Sequence, residues 1–545
     1  MKTIDQVLGI VKRPERILQY GEGNFLRAFA DWQIDILNER TGFNGNVAAV
    51  QPRNREGGAG ALINAQGGLY TTVLRGLVDG RAVEEFRPVR SLSRCINPYT
   101  QFDEYFACAE NPDLRFVFSN TTEAGIVYRA GERLDDRPQL SFPGKVTALL
   151  YRRYDFFRGD PAKALVFIPC ELIDRNGETL RALVERYAAE WGLGDGFARW
   201  LKSCVFCNTL VDRIVSGFPG EEAEALWEKL GYRDDLLTAG ELFYLWVIEE
   251  PPAWDYRKEF PLEEAGLKVV WTGDLDFYRK RKVRVLNGLH SSTALAAYLY
   301  GLDTVAQCVE DPLVYRFMRR SLFGEIIPSL ELNSAESRTN SNTNNSRDAA
   351  GVSREGLVHF AEETLERFAN PFIKHRLLSI SLNSLSKFKI RVLPSILSYY
   401  KKYRGAPRAL CCSLAALILF YRGRNPSANE MEGRRAGEFY PIRDDEEILR
   451  RFAALWDAAA ASGAADCRGA ESGSGSSGPP APAYDLSSLA ELVRAVLSFG
   501  DWWGEDLNAY SGIGEAVTEN LALILRAGMG EALARAAGED REGFR

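Results

Sequence analysis

Residues 16–50 read RILQYGEGNFLRAFADWQIDILNERTGFNGNVAAV, and this stretch decides the fold. Residues 16–20 form a strand-like run, Gly21-Glu22-Gly23 breaks it, and residues 24–38 carry Phe25, Ala28, Phe29, Trp32 and Ile36 at helical spacing. Gly45 and Asn46 then lead into Val47-Ala48-Ala49-Val50, a buried-strand pattern. Strand, helix and strand within about 35 residues is the size of a parallel crossover unit. Further strand-like runs at 115–119 and 164–169, with helical patterns between them, predict a doubly wound α/β sheet.

Beyond about residue 280 the strand signal fades. Residues 283–300, 357–368, 377–385, 410–421, 446–461 and 486–499 all carry helical periodicity. The expected organisation is an α/β domain over 1–278 and a mostly α-helical domain over 279–545. Two low-complexity inserts, near 333–354 (Asn and Ser) and 469–483 (Gly, Ser and Pro), are too polar to order themselves and read as mobile surface loops.

The chain has 545 residues, 46% apolar and 26% charged, which excludes a disordered chain, a collagen-like repeat and a disulfide-stapled miniprotein. A net charge of −7 without any Lys/Arg block argues against a nucleic-acid partner. It does not argue against a small anionic substrate, which a local group of cations can hold. The apolar stretch at 7–11 is too short for a signal-peptide core, and that at 409–421 is shorter than the roughly 18 residues of a bilayer span, so no membrane association is expected. Nine scattered cysteines form no disulfide framework and place the chain in a reducing cytoplasm. Cys204 and Cys207 make a single CxxC, a weak metal signal without a second pair or nearby histidines. Three histidines in all, with no HxxxH or HExxH, predict no metal; no GxSxG elbow or P-loop occurs either.

Three places carry chemistry. Gly21 and Gly23, followed by Asn24 and Phe25, sit between strand and helix where a dinucleotide pyrophosphate binds, although Leu26 stands at the third glycine position. An ordinary βα turn is the alternative. At the end of the second strand Gln51, followed by Pro52 and Arg53, replaces the acidic residue that would read the ribose, leaving NAD and NADP both open. Ser119, Asn120, Thr121, Thr122 and Glu123 follow a strand at the edge where such sheets bind ligands; a polar turn capping the next helix is the alternative. In KVRVLNGLH, residues 282–290, an α-helix would place Lys282, Asn287 and His290 at roughly 0°, 140° and 80°, on one face among apolar neighbours. A lysine so placed suits general acid/base work, with an amide and an imidazole to orient a carbonyl or hydroxyl. A solvated lysine beside a core histidine is the bland reading. His359 reads as a surface or packing residue.

These three motifs, together with GLYTTVLRGL, IPCELIDRNG, TLVDRIVSG and NPFIKHRLLSISLNSLSKF, resemble the polyol-specific long-chain dehydrogenases, also called the mannitol dehydrogenase family. The resemblance spans residues 16–441 and 485–529. It implies a Rossmann-type N-terminal domain, a helical C-terminal domain, NAD as cofactor and no metal. It also implies roles: Lys282 as general acid/base, Asn287 holding the reacting oxygen, His290 on the substrate, Lys387 as a substrate-binding lysine and Asp212 near the site. The pattern departs in three places. Cys170-Glu171-Leu172 replaces Cys-Asp-Asn, His375 replaces an aspartate and Ser379 an arginine. With Lys374, Arg376, Lys387 and Arg391 as nearby cations, these departures favour an anionic sugar acid, a keto-hexuronate, over a neutral polyol. A nucleotide-binding protein without catalysis is the out-of-class rival.

Overall fold

In the computed structural model the opening run forms strand β1 (Glu15–Tyr20), followed in chain order by β2 (Asn46–Val50), β3 (Tyr70–Val78), β4 (Arg81–Val89), β5 (Leu92–Ile96), β6 (Phe116–Ser119), β7 (Val166–Pro169) and β8 (Val205–Phe206). Residues 1–54, 57–122, 124–251, 254–330, 353–466 and 484–538 are described; nearly all of the first predicted insert and all of the second lie outside them. The chain divides into two compact units, Met1–Tyr278 and Arg279–Arg545.

In the first unit six strands run in the order β5-β2-β1-β6-β7-β8, every neighbouring pair parallel. Tyr20 is level with Val50 on one side and Ser119 on the other, so the carboxyl ends of β2, β1 and β6 finish together. The strand order reverses beside β1, which opens a crevice between β1 and β6 at that edge. Both faces of the sheet are buried. Ile17, Val47, Phe116 and Ile168 pack on one side with Phe29, while Leu18, Ala48, Val117 and Phe167 pack on the other with Val146 and Leu150. That double burial explains the unbroken apolar run at the end of β2.

Two features of this unit were not evident from periodicity. β3 and β4 form a long antiparallel hairpin in a second, four-stranded sheet, and Thr209–Asp212 joins Leu245–Glu249 and Val269–Thr272 in a third. β4 (RAVEEFRPV) is charged and partly exposed, so its strand character comes from pairing with β3 rather than from an apolar pattern.

The second unit is mainly helical, as expected, with three corrections. Residues 377–385 do not form one helix: Leu377–Ile380 and Ser384–Arg391 are separated at Asn383, whose φ of 52° stops the first and starts the second. A small antiparallel sheet, Gly423–Arg424, Glu430–Arg435 and Glu438–Arg443, breaks the helical series; only Met431 and Gly433 of its central strand are buried, too few to mark a strand in sequence. The predicted helix at 283–300 belongs to a continuous helical run from Leu275 to Tyr300, and between Lys282 and Asn287 that run is a π turn. The apolar helix Arg408–Phe420 is buried almost throughout, and among the described residues no helix is long and apolar enough to cross a membrane.

Candidate active site

In the first unit the two predicted ligand turns meet at the carboxyl ends of β1 and β6. The Asn120 backbone N–H donates to Tyr20 O at 3.0 Å, and the Asn120 side chain donates to Cys170 O at 2.7 Å. Gly21 adopts φ +126°, and a Cβ there would lie 3.0 Å from Leu26 Cδ1 and 3.1 Å from Asn120 O. Gly23 opens the helical run Asn24–Arg40; an added Cβ would meet nothing within 4 Å, and no side chain among the described residues caps that end. Backbone N–H groups at an uncapped helix start, beside a glycine facing open space, form a donor set that fits a pyrophosphate. Asn24 accepts from the Arg27 guanidinium, which also reaches Leu236 O at 2.5 Å, and Phe25 stacks on Phe29.

The second turn is knotted around a buried carboxylate. Glu171 accepts from Ser119 Oγ, from the Thr121 N–H and from Thr121 Oγ1, each at 2.9 Å. Burial pushes its carboxyl above the usual range although these three bonds pull the other way. The hydroxyl protons of Ser119 and Thr121 are therefore committed inward, which leaves their oxygens as acceptors. Glu123 lies outside the described residues. Gln51 is buried at the end of β2, its amide against Gly60, while Arg53 is exposed. Asp212 is buried at the end of its strand, beside Arg213, whose guanidinium binds Ala28 O, Leu242 O and Phe243 O.

Sequence reasoning missed what lies under the glycine turn. The fully buried Gln19 amide donates to Gly21 O at 3.1 Å and to Asp31 Oδ2 at 3.2 Å, tying the turn to a buried acid. Burial pushes the Asp31 carboxyl up to about 7, against the Gln19 bond and the charge of Arg27. The only sequence signal is a polar residue on a buried strand and an acid inside an apolar helical run. The fold therefore favours neutral Asp31, and the stability it lends is complete below the unfolded value near 4 and lost as pH rises through about 7. Asp31→Asn, which cannot ionise, should gain in melting temperature relative to the parent as pH rises from 4 to 8; a constant difference across that range would contradict the assignment.

In the second unit the π turn changes the geometry expected for the Lys282 cluster. An i→i+5 turn stacks residues five apart, so Lys282 and Asn287 stand one above the other instead of about 140° apart as in an α-helix. His290 follows one α-helical turn later on the same side. It is buried, stacked on Phe368 with centroids 4.0 Å apart, and His375 meets its ring edge-on at 5.0 Å. Gly288 lets helix Ser384–Arg391 approach: a Cβ there would lie 2.9 Å from Arg391 O.

That approach gathers basic groups. The Lys387 ammonium donates to Ile380 O at 2.9 Å, and Arg391 reaches Ser291 Oγ at 3.5 Å. Burial lowers the His375 imidazole, and the neighbouring Lys387 charge lowers it further. Lys387 is in turn lowered by burial and by Arg391, with Asp444 opposing. Lys374, Arg376 and Ser379 are exposed, so of the four cations singled out in sequence only Lys387 and Arg391 are half-buried, Lys387 beside His375 and Arg391 beside Lys387. His359 is exposed, next to Glu363.

Among the described residues no group of three or more His, Cys, Asp or Glu side chains could hold a metal. Cys204 and Cys207 are buried thiols, and burial raises Cys204 to about 11 and Cys207 further still, so neither is a ready thiolate.

Comparison with known proteins adds six likenesses. A family model of the mannitol dehydrogenase Rossmann domain matches residues 15–261, and one of the mannitol dehydrogenase C-terminal domain matches residues 274–438. An altronate oxidoreductase of Klebsiella pneumoniae is 43% identical over 522 residues, covering 95% of this chain and 96% of that protein. One of Cronobacter sakazakii is 44% identical over 523 residues, covering 96% of each. Among solved structures, a substrate-free D-sorbitol dehydrogenase superposes with a TM-score of 0.72 at 20% identity, over 98% of this chain and all of that one. The Pseudomonas fluorescens mannitol 2-dehydrogenase ternary complex with NAD and D-mannitol gives 0.60 at 19%, over 96% and 94%. The two structural likenesses concern the fold.

Proposed function

The chain belongs to the mannitol dehydrogenase family, and from that premise we propose that it is an NAD-dependent oxidoreductase of a keto-hexuronate: D-altronate + NAD+ = D-tagaturonate + NADH + H+. The observation that carries the chemistry is the single face on which the π turn sets Lys282, Asn287 and His290. Support for the substrate comes from the altronate oxidoreductases that match nearly the whole chain.

The glycine turn at Gly21 and Gly23, with Asn24 and Phe25 and with Ser119, Asn120 and Thr121 across the crevice, would hold NAD, which when bound would supply or accept the hydride. In the reducing direction Lys282 gives a proton from Nζ to the oxygen of the keto group as that carbon gains the hydride, and in the oxidising direction it takes the proton back. Asn287 and His290 hold that oxygen, placing dipoles where negative charge develops. Lys387, with Arg391 and His375 beside it, offers the substrate's carboxylate a cationic partner, a role a neutral polyol would leave unused. The eight described cysteines, all free and buried, suit a reducing compartment such as the cytoplasm.

The test is NADH oxidation with tagaturonate, fructuronate and fructose, read against NAD reduction with altronate, mannonate and mannitol. Tagaturonate and altronate should give the highest kcat/KM. Faster turnover of fructuronate moves the assignment to the mannonate pair, faster turnover of fructose or mannitol removes the acid specificity, and no turnover at all restores the non-catalytic reading.

A further inference from the structure

We infer that Arg284 is a positioning residue, which holds the π turn in place so that Lys282 and Asn287 share a face; the inference rests on the reading of Lys282 as acid/base. Arg284 lies inside the π turn, two residues past Lys282 and hence on the opposite side of the helix. There its Nε donates to Ser395 Oγ at 2.6 Å and its Nη2 to Ser329 Oγ at 2.9 Å. Ser395 is fully buried in helix Leu393–Tyr403, and Ser329 donates onward to Ile326 O at 2.7 Å, at the end of another π turn, Leu322–Ile326. The helical run is thus pinned from two separate elements at one side chain.

Packing alone does not explain the arrangement. A guanidinium held by two neutral hydroxyls pays for its desolvation without a carboxylate at hydrogen-bond distance among the described residues, and burial lowers it to about 10. A leucine or methionine would fill the space at lower cost. What the charge adds is direction: two bonds at fixed angles from a planar fork. A π turn interrupts the regular helical hydrogen bonding and is frequent at functional sites. Were this one to slip to α-helical geometry, Asn287 would return to about 140° from Lys282 around the helix. The pair would then no longer present donor and proton to the same oxygen.

The experiment uses the full chain with Arg284→Met and Arg284→Lys, measuring melting temperature, NADH affinity, and kcat and KM for the sugar acid. Arg284→Met should lower kcat on the order of twentyfold, as misplacement of a reacting group does, with NADH affinity unchanged. Arg284→Lys, which keeps the charge and can reach one serine, should recover part of the loss. In a Lys282→Ala background Arg284→Met should change kcat by less than about twofold, because residues acting as one unit are not additive. A lowered melting temperature with parental kcat, or losses that multiply in the double variant, overturns the inference. If Arg284→Met does not fold, Ser329→Ala with Ser395→Ala removes both bonds and keeps the charge, under the same criteria. A near-parental Lys282→Ala strikes at the underlying reading instead, whereas a crippled Lys282→Ala beside a parental Arg284→Met strikes only at this inference.

Discussion

Lys282→Ala should lower kcat for keto-acid reduction at least about a hundredfold while NADH still binds. A positioned proton donor contributes on the order of 10²–10⁴ in rate, and alanine leaves the developing alkoxide to take its proton from water. The lysine stands on the π-turn face with Asn287 and His290, so the loss should fall on the chemical step. The glycine turn is built from β1, β6 and the helical run after Gly23, none of which alanine at position 282 alters, so NADH should still bind. Steady-state kcat against a fluorescence titration of NADH separates the two quantities. A rate within a few fold of the parent would remove Lys282 from the mechanism.

Gly21→Ala should weaken NADH binding by about thirtyfold, with kcat at saturating NADH much less affected. At φ +126° an L side chain is strained by about 1–3 kcal/mol, and the new Cβ would press on Leu26 Cδ1 at 3.0 Å and on Asn120 O at 3.1 Å. Leucine can give way; Asn120 cannot, because its backbone is bonded to Tyr20 and its side chain to Cys170. The turn itself must move, and Gln19 then loses its bond to Gly21 O. About 2 kcal/mol of such displacement corresponds to the stated loss of affinity. Calorimetric titration of NADH checks it, and an unchanged Kd would show that the turn is not where the dinucleotide sits.

The parallel sheet was legible because β1, the glycine break and the following helix each carry their own periodicity within residues 15–40. β4 was not, because pairing with β3 rather than composition makes it a strand. The Lys282 cluster could be found by residue type, yet its geometry could not: counting at 3.6 residues per turn assumes the regularity that the π turn breaks. Arg284 looked like one more charge in a basic stretch until Ser329 and Ser395, distant in sequence, supplied its partners. Glu171 was visible only as a departure from a familiar motif. Its function, gathering Ser119 and Thr121 into one knot, depends on β6 and β7 lying side by side.

The position of β1 in the middle of the six-stranded order bears on how the protein could be re-engineered. Gln51 and Arg53 follow β2 on one flank of β1, and the Glu171 knot closes β6 and β7 on the other. An acidic residue introduced at Gln51, or a second arginine beside Arg53, would act on the adenosine end of a dinucleotide without disturbing a single bond of that knot. On the proposed cofactor site, preference between NAD and NADP becomes a separable design variable, adjustable by substitutions on one flank while the hydroxyl network on the other keeps its geometry.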